Sequence, residues 1–314
     1  MFIINGSSID FPTVFLHMKD GKIHEELKAA CEWMNSLGVR DCRKNDRFSQ
    51  YLKIFKEFDG FSSTNLPSEE KFGIYVRTHT EAAEIIRIHR ALSGISSDDF
   101  INRLKKITSG KLFKTRVESD PGRDYAFELS VASRFIEGGY EVNLSNLADV
   151  VARVDGVDVF VECKRIQSDS KIAKRIKEAQ DQLETRFNSN ASKKSRGIIA
   201  CSISDLVNPD YKIRYYSGVP SIRLETEPLI KNYVKNLNEN KVFAHKKRQI
   251  AVLFEAQFGG VRIPRDGDVD KIIGIIACRG AVMSVDQKMN GFHNNNLLMK
   301  FSKKLTSIPS IPVV

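Results

Sequence analysis

The sequence predicts an α/β fold with a mixed sheet, preceded by a mostly helical N-terminal region, and three observations carry that expectation. Asp155-Gly156, the strongest short hairpin signal, sits between strand-like runs in ADVVARVDGVDVFVECKR, residues 148 to 165. From about residue 117 onward, helix-period and strand-period segments alternate, as in layered α/β folds. Before that point, HEELKAACEWMNSLGV, DRFSQYLKIFKEF and HTEAAEIIRIHRALSG repeat apolar residues at helical spacing.

Taken in order, the N-terminal helical patterns are joined by polar loops such as GFSSTNLPSEE. RLKKITSGKLFKTR, 103 to 116, is basic with no acidic residue, and SDPGRD after it has turn chemistry. The division expected is a helical region over 1–116, serving recognition or assembly, and an α/β domain over 117–314. The second part should run helix at about 124–137, strand YEVNL, the hairpin, helix at about 171–187 and strand GIIACSI at 197–203. PLIKNYVKNL then reads as a helix, while QIAVLFEAQF and KIIGIIAC read as buried strands that extend the sheet. The ending NNNLLMKFSKKLTSIPSIPVV reads as a short helix and a Pro-containing tail.

Forty-nine Lys and Arg against 39 Asp and Glu give a net charge of +10, which favours a polyanionic partner. Five cysteines, odd in number and in no CxxC pairing, fit reduced thiols in a cytoplasm. The six histidines show no ligand spacing. MFIINGSS lacks a basic n-region and a long apolar stretch, and no run of roughly 18 apolar residues occurs, so no export signal or membrane span is expected.

The hairpin turn fixes which side chains meet. If Val154 pairs with Val157, Arg153 faces Asp158, Val151 faces Phe160 and Asp149 faces Glu162. One side is then wholly apolar, from Val150, Ala152 and Val154 to Val157, Val159, Val161 and Cys163. On the other, Asp149 and Glu162 stand roughly 5 Å apart at Cβ, a destabilising pair that calls for a cation. Lys164, two residues past Glu162 on the same face, supplies part of the compensation; a divalent metal could supply the rest.

A third carboxylate joins from the helix YAFELSVASRFIE. Glu128 falls in the middle of the stripe of Phe127, Leu129, Val131, Ala132, Phe135 and Ile136. A Glu there is costly to desolvate unless a cation or hydrogen bonds receive it, and a buried ion pair is the alternative to a functional role. In KIAKRIKEAQDQLETRF, Gln180 lies at the edge of the face of Ile172, Ile176, Ala179, Leu183 and Phe187, so its amide is either a site group or a structural one. Arg165, Lys171, Lys174 and Arg175, with Lys177, make the start of that helix basic, either as a solvated face or as a grip on phosphates.

A helix Glu, then Asp, then Glu-x-Lys on the second arm of a hairpin, then a helix with Gln and a further strand resembles the PD-(D/E)XK nuclease superfamily, over about residues 120 to 205. The resemblance implies a restriction-endonuclease-like αβββαβ core in which Asp149 and Glu162 bind Mg²⁺ (or Mn²⁺), Glu128 assists and Lys164 orients or activates the attacking water. Gln180 resembles a helix Gln of some branches, and Ala148 replaces the Pro of the motif name. Mg²⁺ takes hard oxygen ligands, usually one or two carboxylates plus waters and substrate oxygens, which suits this set. The expectation is a metal-dependent phosphodiesterase acting on DNA, most simply as an endonuclease on the double strand, with defence against foreign DNA a fitting role. The alternatives are a non-catalytic nucleic-acid-binding or assembly module on the same fold, and an RNA-directed nuclease. A homodimer or a partner subunit stays open.

Overall fold

A computed structural model describes residues 8–17, 22–41, 45–58, 68–113, 119–144, 147–189, 192–209, 211–217, 219–262, 274–285 and 297–298. The chain runs β1 (Ser8–His17), α1 (Lys22–Ser36), α2 (Arg47–Phe58), α3 (Glu69–Leu92), α4 (Asp98–Ile107), α5 (Pro121–Glu137), β2 (Glu141–Asn143), β3 (Val150–Val154) and β4 (Val157–Arg165). It continues through α6 (Asp169–Ser189), β5 (Arg196–Ser202), α7 (Ser204–Val207), β6 (Arg214–Tyr216), α8 (Val219–Glu239), β7 (Gln249–Arg262) and β8 (Ile275–Ser284).

The expected hairpin forms because its turn residues tolerate what the turn demands. Asp155 and Gly156 sit at φ 50° and 77°, the left-handed pair that suits the strand twist. The register is the one the turn dictates, with Val154 opposite Val157 and Val151 opposite Phe160. β4 then pairs in parallel with β5, and β5 with β7, while β2 and β3 add antiparallel strands on one side and β8 and β1 on the other. The sheet is therefore mixed, in the order β1-β8-β7-β5-β4-β3-β2, with β6 alongside β7.

The hairpin's apolar face packs under α5, with Val150, Ala152, Val159 and Val161 buried beside Val131 and Phe135. The other face, with Phe160, lies under α6, where Ile172, Ile176, Leu183 and Phe187 form the second core. α5 starts on good local chemistry: Asp120 caps the Arg123 N–H and Pro121 occupies the first turn. Its polar side is buried as well. Arg134 reaches Glu255 of β7 at 3.0 Å, Arg279 of β8 binds the same carboxylate, and Arg279 also donates to the Ser130 carbonyl at 3.1 Å. That ionic lock ties the site-bearing helix to the far half of the sheet, and removing Glu255 would take from two buried arginines the carboxylate they share.

The N-terminal part is mostly helical but differs from its sequence reading in two ways. Its first described segment, β1, is a strand that pairs with β8. Pro12 lies where the register shifts between Phe11 and Val14 on this edge strand, the setting a sheet tolerates for a residue without an N–H. α4 also forms, running from Asp98 into the first residues of the stretch read only as basic, capped by Ser97 and burying Phe100, Leu104 and Ile107. Across the division expected at 116/117 the apolar packing is continuous: Leu27, Phe48, Ile86 and Leu104 belong to one cluster with Val131, Val161 and Leu253. Residues 114–118 themselves, most of the C-terminal tail and the start of KIIGIIAC lie outside the described residues. Among the described residues no helix is long and apolar enough to cross a membrane.

Candidate active site

The β3–β4 ladder ends at Val150 opposite Val161, one step short of Asp149 and Glu162. Asp149 therefore does not stand as a ladder partner of Glu162. Its carboxylate turns into the open end of the ladder and accepts the Cys163 N–H at 2.7 Å. That bond satisfies a backbone donor on the side of β4 where β3 has ended and holds the Asp149 side chain between the Glu162 and Lys164 positions.

Glu162 points beneath α6 and is 0% exposed. One oxygen receives Arg186 Nε of α6 at 3.3 Å; the other, Oε2, is buried without a hydrogen-bond partner. Glu128 approaches from α5, and its carboxylate meets Arg103 of α4 at 3.2 Å. The costly Glu on an apolar stripe thus has its cation, and the cation comes from the helical region. Arg103 reaches further, donating to the carbonyls of Ala148, at 3.1 Å, and of Asp149.

The electrostatics show that the four expected residues share one neighbourhood. The buried Cys163 thiol is raised well above its ordinary value, first by burial and then by Asp149 and Glu128, with Lys164 opposing and Glu162 adding. Burial, then the Asp149 charge, pushes Glu162 up to about 7 against the pull of Lys164 and Arg186. Burial, then Asp149, pushes Glu128 up to about 8 against Arg103 and Lys164. Burial is the largest cause of both shifts, and the Asp149 charge adds to it.

A pH dependence follows. Both groups are raised in the folded state above an ordinary value of 4.5, so from about pH 4.5 upward the unfolded chain releases protons that the folded chain keeps. Folding stability should fall as pH rises through the window between 4.5 and about 8, and level off beyond it. The check is the thermal midpoint at pH 5 and pH 8.5. The expected destabilisation is larger without divalent metal than with it, and Glu162→Gln should shrink it; identical profiles for wild type and Glu162→Gln would contradict the assignment.

The other expected residues lie elsewhere. Gln180 is buried, but its amide donates to Ala244 O at 2.6 Å and to Gln249 Oε1 at 2.8 Å, tying α6 to the start of β7. The Arg165 side chain is 5% exposed and is held by Asp124 at 3.2 Å and Asp205 at 3.5 Å. It faces α5, on the opposite side of β4 from Lys164, and does not join the basic surface of α6. Lys171, Lys174 and Arg175 are exposed there, Arg175 pairing with Glu178 at 3.0 Å. Arg103 and Arg186 are the site residues that sequence reasoning missed.

The oxygen donors suit a hard divalent cation, and the partnerless Glu162 Oε2 is a buried acceptor awaiting a positive group. The set is not preassembled: among the described residues no three His, Cys, Asp or Glu side chains already converge on one point. Comparison with protein families, with curated proteins and with solved structures finds no match.

Proposed function

We propose that the chain is a metal-dependent nuclease that hydrolyses phosphodiester bonds in DNA, built on a restriction-endonuclease-like core. The single observation that carries the reading is the placement of Asp149, Glu162 and Lys164 at the open end of the β3–β4 ladder, with Glu128 within reach of the Asp149 and Lys164 charges, on elements that follow one another as α5-β2-β3-β4-α6-β5. That order is the αβββαβ succession the sequence resemblance implies. Asp149 and Glu162 would hold Mg²⁺ or Mn²⁺, with Glu128 beside them. A bound cation there supplies a water of lowered pKa and neutralises charge growing on the phosphate.

This chain's own residues do the rest. Lys164, half-buried, presents a point cation to the same phosphate, and the Cys163 N–H fixes the Asp149 carboxylate. Arg186 holds Glu162 in the orientation that keeps one oxygen free. The exposed cations of α6 line the approach and grip the nucleic-acid backbone without reading its sequence.

Incubation of the purified protein with supercoiled plasmid, linear duplex, single-stranded DNA and RNA, with Mg²⁺, Mn²⁺ or chelator, tests the proposal. Nicking or linearising of plasmid supports an endonuclease, degradation of linear duplex alone an exonuclease, and cleavage of RNA alone an RNA-directed enzyme. A second reading, a non-catalytic binding module, is favoured by one observation: Arg103 and Arg186 already pair with Glu128 and Glu162 without a metal. Binding without product in every lane would support it.

Affinity for duplex DNA should fall steeply with salt. Each phosphate that a cation neutralises adds about 0.9 to the slope of log affinity against log salt, so a Lys171→Ala/Lys174→Ala double variant should lessen that slope by about 2. A filter-binding series from low to moderate salt measures it, and an unchanged slope would remove α6 from the interface.

A further inference from the structure

One side chain of the helical region touches the site at three points. Arg103 is 7% exposed, and its guanidinium donates to Glu128 Oε2 at 3.2 Å, to Ala148 O at 3.1 Å and to Asp149 O. The two carbonyls belong to successive residues immediately before β3. We propose that Arg103 is a positioning residue of the active centre: it fixes the peptide from which the Asp149 carboxylate projects and locks that peptide to Glu128. The proposal rests on the nuclease reading for its catalytic consequence and on this geometry for the positioning.

The bond pattern separates this role from a simple ion pair. Neutralising Glu128 needs a single donor. A planar fork that also caps two consecutive carbonyls is what arginine can supply and lysine cannot. Those carbonyls need a partner, because at Asp149 the β3–β4 ladder has already ended. The fork sets the backbone from one side while the Cys163 N–H, at 2.7 Å, sets the carboxylate from the other. With its peptide and its carboxylate both bonded, Asp149 has little freedom left. Arg103 itself is anchored, because α4 is capped by Ser97 and buries Phe100, Leu104 and Ile107 in the shared core. The N-terminal helices thus reach the chemistry by supporting it from behind, as partners around metal ligands do.

The test uses the full-length protein with Arg103→Lys and Arg103→Gln. Its first readout, independent of activity, is the Cys163 amide followed by nitrogen-edited NMR and hydrogen exchange. In both variants this signal should move and exchange faster, while amides of Val159 and Val161 keep wild-type protection. Mn²⁺ affinity by calorimetry should drop about 10–100-fold, with kcat falling by a similar factor and KM for DNA nearly unchanged. Arg103→Lys keeps the charge opposite Glu128 and carries the test should Arg103→Gln fail to fold. A Cys163 amide and a Mn²⁺ affinity at wild-type values in Arg103→Lys would overturn the positioning. A wild type that neither binds Mn²⁺ nor cleaves nucleic acid would instead overturn the nuclease reading and the catalytic part of the proposal, whatever the Cys163 amide reports.

Discussion

Replacing Glu162 with glutamine should remove hydrolysis while leaving the protein folded. Losing a metal ligand forfeits several kcal/mol of transition-state stabilisation, and at about 1.4 kcal/mol per tenfold a deficit of roughly 4 kcal/mol is about a thousandfold in rate. The structure makes glutamine the right substitution. Glu162 is fully buried with one oxygen on Arg186, so the amide fills the same volume and can still accept that bond. A carboxyl raised to about 7 also means that neutralising it relieves strain on the metal-free fold at alkaline pH, so stability should hold or rise there. Asp149→Asn should lose hydrolysis equally. Asp149→Ala is the poorer probe because it strips the Cys163 N–H of its acceptor, at a cost of about 1–3 kcal/mol. Initial rates on duplex DNA and urea midpoints measure both effects. Wild-type turnover in purified Glu162→Gln would remove it from the site.

Lys164→Ala is expected to separate binding from chemistry. Lys164 acts on both Glu128 and Glu162 electrostatically but offers no oxygen to a metal, so the variant should still bind Mn²⁺ and DNA. Turnover should drop by about 10²–10³-fold, the range for removing a group aimed at charge that develops in the transition state. Calorimetry, a DNA-binding titration and single-turnover rates on wild type and variant together measure this. A variant that loses stability and metal binding in parallel with activity would instead make Lys164 a structural counter-charge.

What is legible in the sequence divides along physical lines. The hairpin register is legible because a two-residue turn and a period of two leave no freedom: every partner from Val150 to Val161 follows from Asp155-Gly156. The apolar face of α6 is legible for the same kind of reason. Partners brought together by strand order are not. The bonds of Gln180 depend on β5 and β7 being neighbours, which no local pattern announces.

One missed residue, one misplaced residue and one missed strand each had a signal. Arg103 sits among Phe100, Leu104 and Ile107 on one helix stripe, the cationic counterpart of Glu128 on its own stripe, but the surrounding basic residues masked it. Arg165 alternates with Lys164 along β4, so strand parity alone sends it to the opposite face, toward Asp124, and away from the basic start of α6. β1 was obscured by Pro12, which lowers any strand assignment unless the strand is known to be an edge.

The most direct test of a metal-dependent phosphodiesterase at Glu128, Asp149, Glu162 and Lys164 is hydrolysis of duplex DNA by the purified wild type, with Mn²⁺ or with chelator, at a pH above the Glu128 value of about 8. The expected result is product that accumulates with Mn²⁺, stops on chelation and resumes when the metal is restored. Folded protein that binds DNA but yields no product from DNA or RNA with either Mg²⁺ or Mn²⁺ would contradict it.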